Sequence, residues 1–539
     1  MSTNDKNWLS HLAPEMIAEV HGNYFDAYLL ALEGWRRGLR LEWHVEDSER
    51  FKDMRTWFVS HPGQLFTLAS EERKHYFFRT RGDKVTNEAV DLGMDKVKTK
   101  EILTKHHVPV PKGFAFDHKT SENSIVKKVN KLTYPLVVKP KDGSFGRDVF
   151  TNIQNEDELL NIVQRMKNNT DYEQFMVEEH VEGDDYRLYV VDGEVVGAML
   201  RRPPNIEGNG KHSIERLIKR KNRLRRTNPR LIDCPIQIDD ELEQHIKRYG
   251  YTTQSVLADG EKLNLSTKCN ISLGGDPIGV LHDLSDEIKQ IAIDAIKSID
   301  GLVHGAVDVL ANETTGEQVV IELNPTAQMG GLLFPIEGEA SDIPSAIIDY
   351  YFPETKQVET EKHKMYFDFF EVLEPLISRE SVISTVTPAL VGKIYMKKYV
   401  VYGDVLNLGY HLGLRKQAFE RELHGQVSII ENDEIEVLVA GLDEEMVNDF
   451  RNGLLEDEER AVVEDILEED FDGYVRIGFD AEANTKVLQE DLDDVLNNLS
   501  IVQKEIKTLE VRKRKLVNST SWKMSKPIRS IGAIFKKKK

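Results

Sequence analysis

Three oxygen-bearing side chains past the middle of the chain have the types and spacing to hold a hard cation. In Val303 to Pro325, VHGAVDVLANETTGEQVVIELNP, two β-branched runs flank the polar patch NETTG, a pattern that predicts a hairpin. Folding about Thr315 pairs residues whose numbers sum to 630, which sets Asp308 opposite Glu322. Because side chains alternate along a strand, Asn324 shares the face of Glu322. Two carboxylates and an amide oxygen then converge, a donor set that suits Mg²⁺ with nucleotide phosphates and water completing its octahedron. An exposed acidic hairpin accounts for the same residues equally well.

Other stretches carry groups for binding anions. The run YPLVVKPKDGSFGRDVF places Lys139 on an apolar strand before a turn containing Gly143, Ser144 and Gly146. The free amides of such a turn can cradle phosphate oxygens, although a plain hairpin turn reads the same way. FMVEEHVEGDDYRLYVVDGEVVGAMLRR predicts strand, loop, strand, turn, strand, with VDGE as the hairpin signal. Within it the backbone from Glu178 and Glu179 to Val181 suits a purine, Asp185 a ribose hydroxyl, and Arg187 and Arg201 anionic oxygens. Taken singly, each reads first as a surface charge. MDKVKTKEILTKHHVPVPKG has a helical period ending at VPVP, and its Lys96 and Lys98 are surface charges or phosphate ligands. NISLGGDP, with Asn270, Ser272, Gly274 and Gly275, is a turn or a backbone nest for a substrate carboxylate or acyl phosphate.

The elements that position these groups belong to a chain of 539 residues, which predicts about three to four domains. A 40% hydrophobic and 30% charged composition describes a soluble globular protein. Cys234 and Cys269 are the only cysteines; they lack metal-ligand spacing and read as core or site-lining thiols of a reducing compartment. No apolar leader or membrane span is visible, so a cytoplasmic location is expected. The net charge of −21 is uneven: Lys504 to Lys539 holds 13 Lys and Arg against 2 Glu, or +11, leaving −32 on residues 1 to 503. Such an acidic body is a poor partner for nucleic acid. Residues 1 to 95 predict an N-terminal α/β module with a helix at YFDAYLLALEGWRRGL and strands at LRLEWH and GQLFTLA.

Taken in order, MDKVKTK, VVKPKDGSFG, VEEHVEGDDYR, RRPPNIEGNG, NISLGGDP, VDVL and IELNP resemble the motifs of the ATP-grasp ligases over residues 92 to 353. The likeness is greatest to the ligase modules of cyanophycin synthetase and bifunctional glutathione synthetase. It implies an α+β ATP-grasp fold over residues 96 to 353, with ATP between two subdomains and Mg²⁺, or Mn²⁺ in its place. Position by position it implies Lys96 and Lys139 on phosphates, the Gly143 to Gly146 loop closing over them, Glu178 to Val181 along the adenine, and Asp185 at the ribose. Asp308, Glu322 and Asn324 become metal ligands. The implied reaction phosphorylates a carboxylate with ATP and passes the acyl phosphate to an amine, joining small-molecule or peptide-like substrates, as in the synthesis of a cell-envelope polymer or a peptide-like metabolite. Many D-alanine ligase relatives carry Arg two residues before the first metal acid; Ala306 stands here, so the catalytic anion-stabilising charge falls to Arg187 and Arg201. The glutamate-cysteine ligase and Mur-ligase-like modules of the two proteins are missing, and neither substrate carries over.

Residues 354 to 391 read as a linker, and residues 392 to 479 resemble acylphosphatase, an α/β sandwich. VYGDVLNLGYH aligns with that family's phosphate loop VxGxVQGVGFR and LHGQVSI with LxGWVRN. His411 replaces the loop arginine and Ile429 the asparagine that positions water, which implies a degenerate, non-catalytic domain. From Leu488 to Leu516 apolar residues alternate by four and three, predicting a C-terminal helical coiled coil over 480 to 517 and a homo-oligomer. The basic amphipathic tail, 518 to 539, joins Trp522 and Phe535 to lysines and suits peripheral contact with an anionic membrane. Two other functions fit parts of the chain: an acylphosphate hydrolase run by residues 392 to 479, and a nucleotide-binding scaffold for envelope enzymes.

Overall fold

A computed structural model describes residues 8–141, 148–169, 172–356, 364–406, 408–431, 434–456 and 459–481, with 499, 502–504, 506–513, 515–516 and 522 beyond them. The chain forms two units, Met1–Lys393 and Ile394–Lys539.

The first unit starts from the helix Phe25–Arg36, buried at every position. Its sequence FDAYLLALEGWR is apolar on nearly all sides, as a core helix must be, and Glu33 is neutralised by Arg37 at 2.6 Å. It packs on an antiparallel sheet ordered Ile383–Thr385, Arg40–His44, Leu65–Ala69, Lys74–Phe78, Arg81–Gly82. The outermost strand corrects the expectation of a linker over 354 to 391. Thr385 pairs with Glu42, the Val386 amide donates to the Leu41 carbonyl, and the helix Phe369–Ile377 buries Phe369, Leu373 and Leu376. The β-branched run VISTVT is a strand signal that the surrounding polarity masks.

Two further sheets follow. Gly113–Asp117, Gln174–Glu179, Leu136–Pro140 and Phe150–Ile153 form one in that order, covered by the helices Glu122–Val129 and Glu156–Asn169 through Ile125, Val129, Leu159 and Val163. The other is antiparallel throughout, ordered Asp276–Gly279, Glu194–Arg202, Asp184–Val191, His304–Ala311, Gln318–Asn324. The helix Asp286–Lys297 seals it with Ile288, Ala292, Ala295 and Ile296. At the VDGE turn Asp192 and Gly193 have φ of 50° and 79°, the left-handed pair that a two-residue hairpin needs.

The 303 to 325 hairpin pairs Asp308 with Glu322 and Ala306 with Asn324, as the spacing predicts. A bulge after Asp308 then slips the register by one, so Val309 meets Val320 and the turn half of the hairpin departs from the expected pairing.

In the second unit the sheet order is Val462–Asp470, Tyr395–Asp404, Glu434–Gly441, His424–Glu431, Phe479–Ala481. The helices Leu408–Glu420 and Glu444–Gly453 pack on it through Tyr410, Leu414, Val447 and Phe450. The edge strand Val462–Asp470 is acidic and mostly exposed, a charge pattern that discourages edge pairing; Lys397 holds Glu468 at 2.7 Å. Leu499, Val502, Ile506, Leu509 and Leu516 are exposed, while most of the predicted heptads and the tail lie outside the described residues. Among the described residues no helix is long and apolar enough to cross a membrane.

Candidate functional site

A cleft of about 1200 Å³ in the first unit is lined by both the four-stranded and the five-stranded sheet. Arg187, Asp308 and Glu322 lie directly opposite one another on three neighbouring strands of the latter, and residues paired across strands share a face. Arg187 grips Asp308 with two parallel bonds, Nε to Oδ1 at 2.8 Å and Nη2 to Oδ2 at 2.9 Å. Arg201 places Nη2 2.9 Å from Asp308 Oδ2 and 2.5 Å from Asp185 Oδ1. Burial on its own raises the Asp308 pKa, but the Arg187 and then the Arg201 charge outweigh it and hold the carboxyl below its ordinary range. Asp185 ends on the other side: burial pushes it up, Arg201 pulls it down, and the Asp308 charge pushes it up again. All four residues line the cleft. They engage one another: Arg187 and Arg201 both pair with Asp308, and Arg201 also with Asp185.

A second cluster stands across the cleft. Lys139 Nζ lies 2.8 Å from Glu178 Oε2, and Lys100 pairs with Oε1 of the same carboxylate. Glu178 is fully enclosed; burial raises its pKa, and Lys139 with Lys100 more than reverses this. Burial depresses Lys100 to about 8 against the pull of Glu178. Two ammonium groups about one carboxylate leave a net positive charge beside the cavity. Lys100 was missed in the sequence, although a signal was present: it follows Lys96 by four residues in the helix Lys96–Lys105 and so shares its face. Lys98, weighed instead, points to solvent. Lys96 itself meets Glu322 at 3.3 Å, and Asp95 caps the helix by accepting the Val97 and Lys98 amides.

The proposed purine strip is only partly available. The Glu179 amide donates to the Lys112 carbonyl and the His180 amide to that of Pro135, and the Glu179 side chain accepts the Thr133 amide. The Val181 amide has no partner among the described residues. Of the two readings of NISLGGDP the structure shows the turn: the amides of Leu273, Gly274 and Gly275 all donate within the loop. Gly274 and Gly275 serve the turn instead, Gly274 with φ of 97° and Gly275 with no room for a Cβ against the Cys269 carbonyl. Asn270 and Ser272 do line the cleft, as does Cys269, whose thiol burial pushes up to about 12. Gly143, Ser144 and Gly146 lie outside the described residues.

Among the described residues no three His, Cys, Asp or Glu side chains gather to hold a metal, so the candidate donors are the mixed set of Asp308, Glu322 and Asn324. A carboxylate offers about four lone-pair sites. The arginines take three on Asp308, one at Oδ1 and two at Oδ2, while Glu322 meets Lys96. The Asn324 Nδ2 is buried and makes no hydrogen bond; as a donor it suits an anionic oxygen, and the cation ligand on Asn324 would be its Oδ1. The set fits a hard divalent cation in kind.

Residues 93–212 match the model of the RimK-like ATP-grasp domain, and residues 397–480 that of acylphosphatase. The chain therefore carries a RimK-like ATP-grasp domain followed by an acylphosphatase-family domain. It is 32% identical over 286 residues to the glutathione biosynthesis bifunctional protein of Streptococcus agalactiae serotype V, covering 50% of this chain and 37% of that one. Against the cyanophycin synthetase of Trichormus variabilis it is 28% identical over 281 residues, covering 51% and 31%. The chain thus spans well under half the length of these curated relatives. Among solved structures, a bifunctional glutathione synthetase from Pasteurella multocida is 24% identical with a TM-score of 0.43, covering 54% of this chain and 41% of that one.

Proposed function

We propose that the protein is an ATP- and Mg²⁺-dependent carboxylate-amine ligase that activates its carboxylate as an acyl phosphate. The observation that supports this most is the row Arg187, Asp308, Glu322 facing the same cleft as Lys139. A carboxylate is a poor electrophile until phosphorylated, and phosphorylation crowds anions that fixed positive charge must stabilise. Lys139, held by Glu178, supplies one such charge, and Lys96 a second at the edge of the acid pair. Arg187 and Arg201 keep Asp308 ionised, in the state required of a cation ligand. Bound magnesium, for which Mn²⁺ can substitute, would rest on Asp308, Glu322 and Asn324 and neutralise the phosphates. The Val181 amide is the group available to a purine edge, with Asp185 nearest the ribose role. The acylphosphatase-family domain does not hydrolyse in this reading, because His411 is wholly buried with Nε2 2.8 Å from the Val405 carbonyl oxygen.

The same proposal places the protein in the cytoplasm, paired through residues 480 to 517, with its basic tail at an anionic membrane surface; the exposed Leu499, Val502, Ile506 and Leu509 support the pairing. The deciding experiment is a screen of paired carboxylate and amine pools for ADP release, followed by mass spectrometry of the product. Failure of the full chain to bind Mg·ATP in calorimetry overturns the ligase reading.

A further inference from the structure

Between the strands Glu194–Arg202 and Asp276–Gly279 lies a helix whose charge opposes that of the chain as a whole. Residues 214 to 226, IERLIKRKNRLRR, hold seven Lys and Arg against one Glu, or +6, within a net charge of −21. The helix Ile214–Arg225 sorts these cations by face. Inward, Ile214, Leu217 and Ile218 enter a small core with Leu242, Ile246 and Leu257. Lys221 and Arg225 turn to the same side and close on the buried Asp276, Arg225 at 2.6 Å. Outward, Arg216, Lys219, Arg220, Arg223 and Arg226 are all exposed. At about 100° per residue these five fall within an arc of about 120° opposite the buried side, along about 15 Å of helix.

Among the described residues little neutralises that face. Lys219 has a carboxylate within 4.0 Å, that of Glu215, which Gln254 shares. Arg216, Arg220, Arg223 and Arg226 make no ion pair among the described residues. Like charges three and four residues apart, as Arg216 with Lys219 and Arg220, or Arg223 with Lys219 and Arg226, repel and destabilise a helix. A merely solvated face gains nothing from that repulsion, because acids interspersed at the same spacing keep a helix soluble and stabilise it as well. The row is therefore fitted to anionic groups outside the chain.

One apolar residue decides which kind. Leu224 is 59% exposed and follows Arg220 by four residues, so it borders the row. A phosphate backbone or an acidic peptide can use the arginines but leaves the leucine in water. An anionic leaflet uses both, with headgroup phosphates for the cations and the acyl boundary for the leucine. The number of cations also fits, since four to eight Lys and Arg on an amphipathic helix are what such a leaflet attracts.

We propose that the outward face of the helix Ile214–Arg225 rests on an anionic lipid surface, with Arg216, Arg220 and Arg223 at the headgroup phosphates and Leu224 against the acyl boundary. Arg230, four residues beyond Arg226, lines the cleft, so the contact holds the cleft beside that surface. It lies on the first unit itself and depends on neither the basic tail nor the ligase reading.

The test mixes the full chain with vesicles of equimolar phosphatidylglycerol and phosphatidylcholine, or of phosphatidylcholine alone, and treats each with phenylglyoxal, which modifies free guanidinium groups. Mass spectrometry then reads each arginine separately. On the anionic vesicles Arg216, Arg220, Arg223 and Arg226 are expected to react about fivefold or more slowly than on the neutral ones, while the exposed Arg379 reacts alike on both. The variant combining Arg216→Gln, Arg220→Gln and Arg223→Gln is expected to bind the anionic vesicles about tenfold or more weakly, the loss of three cations near the leaflet. Its melting temperature reports on folding, and the difference should shrink at high salt. Flotation that persists while the four arginines react equally on both vesicles assigns the binding to the tail and overturns the proposal, as does a variant that binds like the parent. Protection of the four by polyglutamate or by RNA, but not by vesicles, gives the face to another polyanion and overturns it too.

Discussion

The cleft of the first unit and the start of the helix Leu408–Glu420 in the second both bury polar side chains, to opposite effect. In the cleft Asp308, Arg201, Glu178 and Lys139 are nearly enclosed and paired, yet each borders open volume. In the second unit His411 is enclosed entirely and turned onto the carbonyl of Val405, which precedes its helix. A charge paired beside a cavity retains lone pairs and donors for an incoming ion; a ring bonded to a backbone carbonyl ties the start of its helix to the preceding strand end. Burial of a polar group therefore points to chemistry only where the partner is another charge and the space beside it is vacant.

The contrast breaks most visibly at Asp308. Asp308→Asn leaves two guanidinium groups facing a neutral amide, and losing one member of a buried ion cluster is expected to destabilise the first unit by about 3–5 kcal/mol, read by urea unfolding. ATP turnover should vanish as well. Glu322→Gln separates the two effects: its partner Lys96 forms a partly exposed pair at 3.3 Å, so stability should move by less than about 1 kcal/mol. Turnover should nevertheless fall about a hundredfold or more through weaker cation binding. Full activity in that variant refutes the metal assignment.

Lys100 sharpens the comparison through pH. Because it holds its proton less tightly in the folded chain, with a pKa of about 8, than in an unfolded one near about 10.4, unfolding takes up a proton between these values. Stability of the first unit should therefore rise as pH goes from about 8 to about 10. ATP affinity should fall over the same range as the lysine cluster loses charge, and Lys100→Gln should flatten both profiles. The smallest effect is expected in the second unit. Residues 392 to 479 alone should hydrolyse acetyl phosphate no faster than buffer. His411→Gln should leave that rate unchanged while lowering stability by about 1–3 kcal/mol, the loss of a buried hydrogen bond.

Local pattern carried much of this protein. Alternation along VHGAVDVLA and VVIELN put Asp308 opposite Glu322 and Asn324 two residues on, because a strand's period of two acts within the segment itself. The same holds for the core helix at Phe25–Arg36 and the VDGE hairpin. Ordered motifs, none decisive singly, pointed to the ATP-grasp and acylphosphatase matches. What the tertiary structure alone decided was which charges meet. Glu178 read singly as a surface charge and became the buried centre of two lysines; Arg187 and Arg201 read as groups for anionic oxygens, and the oxygens they meet are those of Asp308. Arg79 and Arg230, 151 positions apart, share a cleft that no periodicity announces. Strand and helix periods arise between near neighbours in the chain, whereas an ion pair depends on distance and burial in three dimensions. Those are set only when sheets from remote stretches close around one cavity.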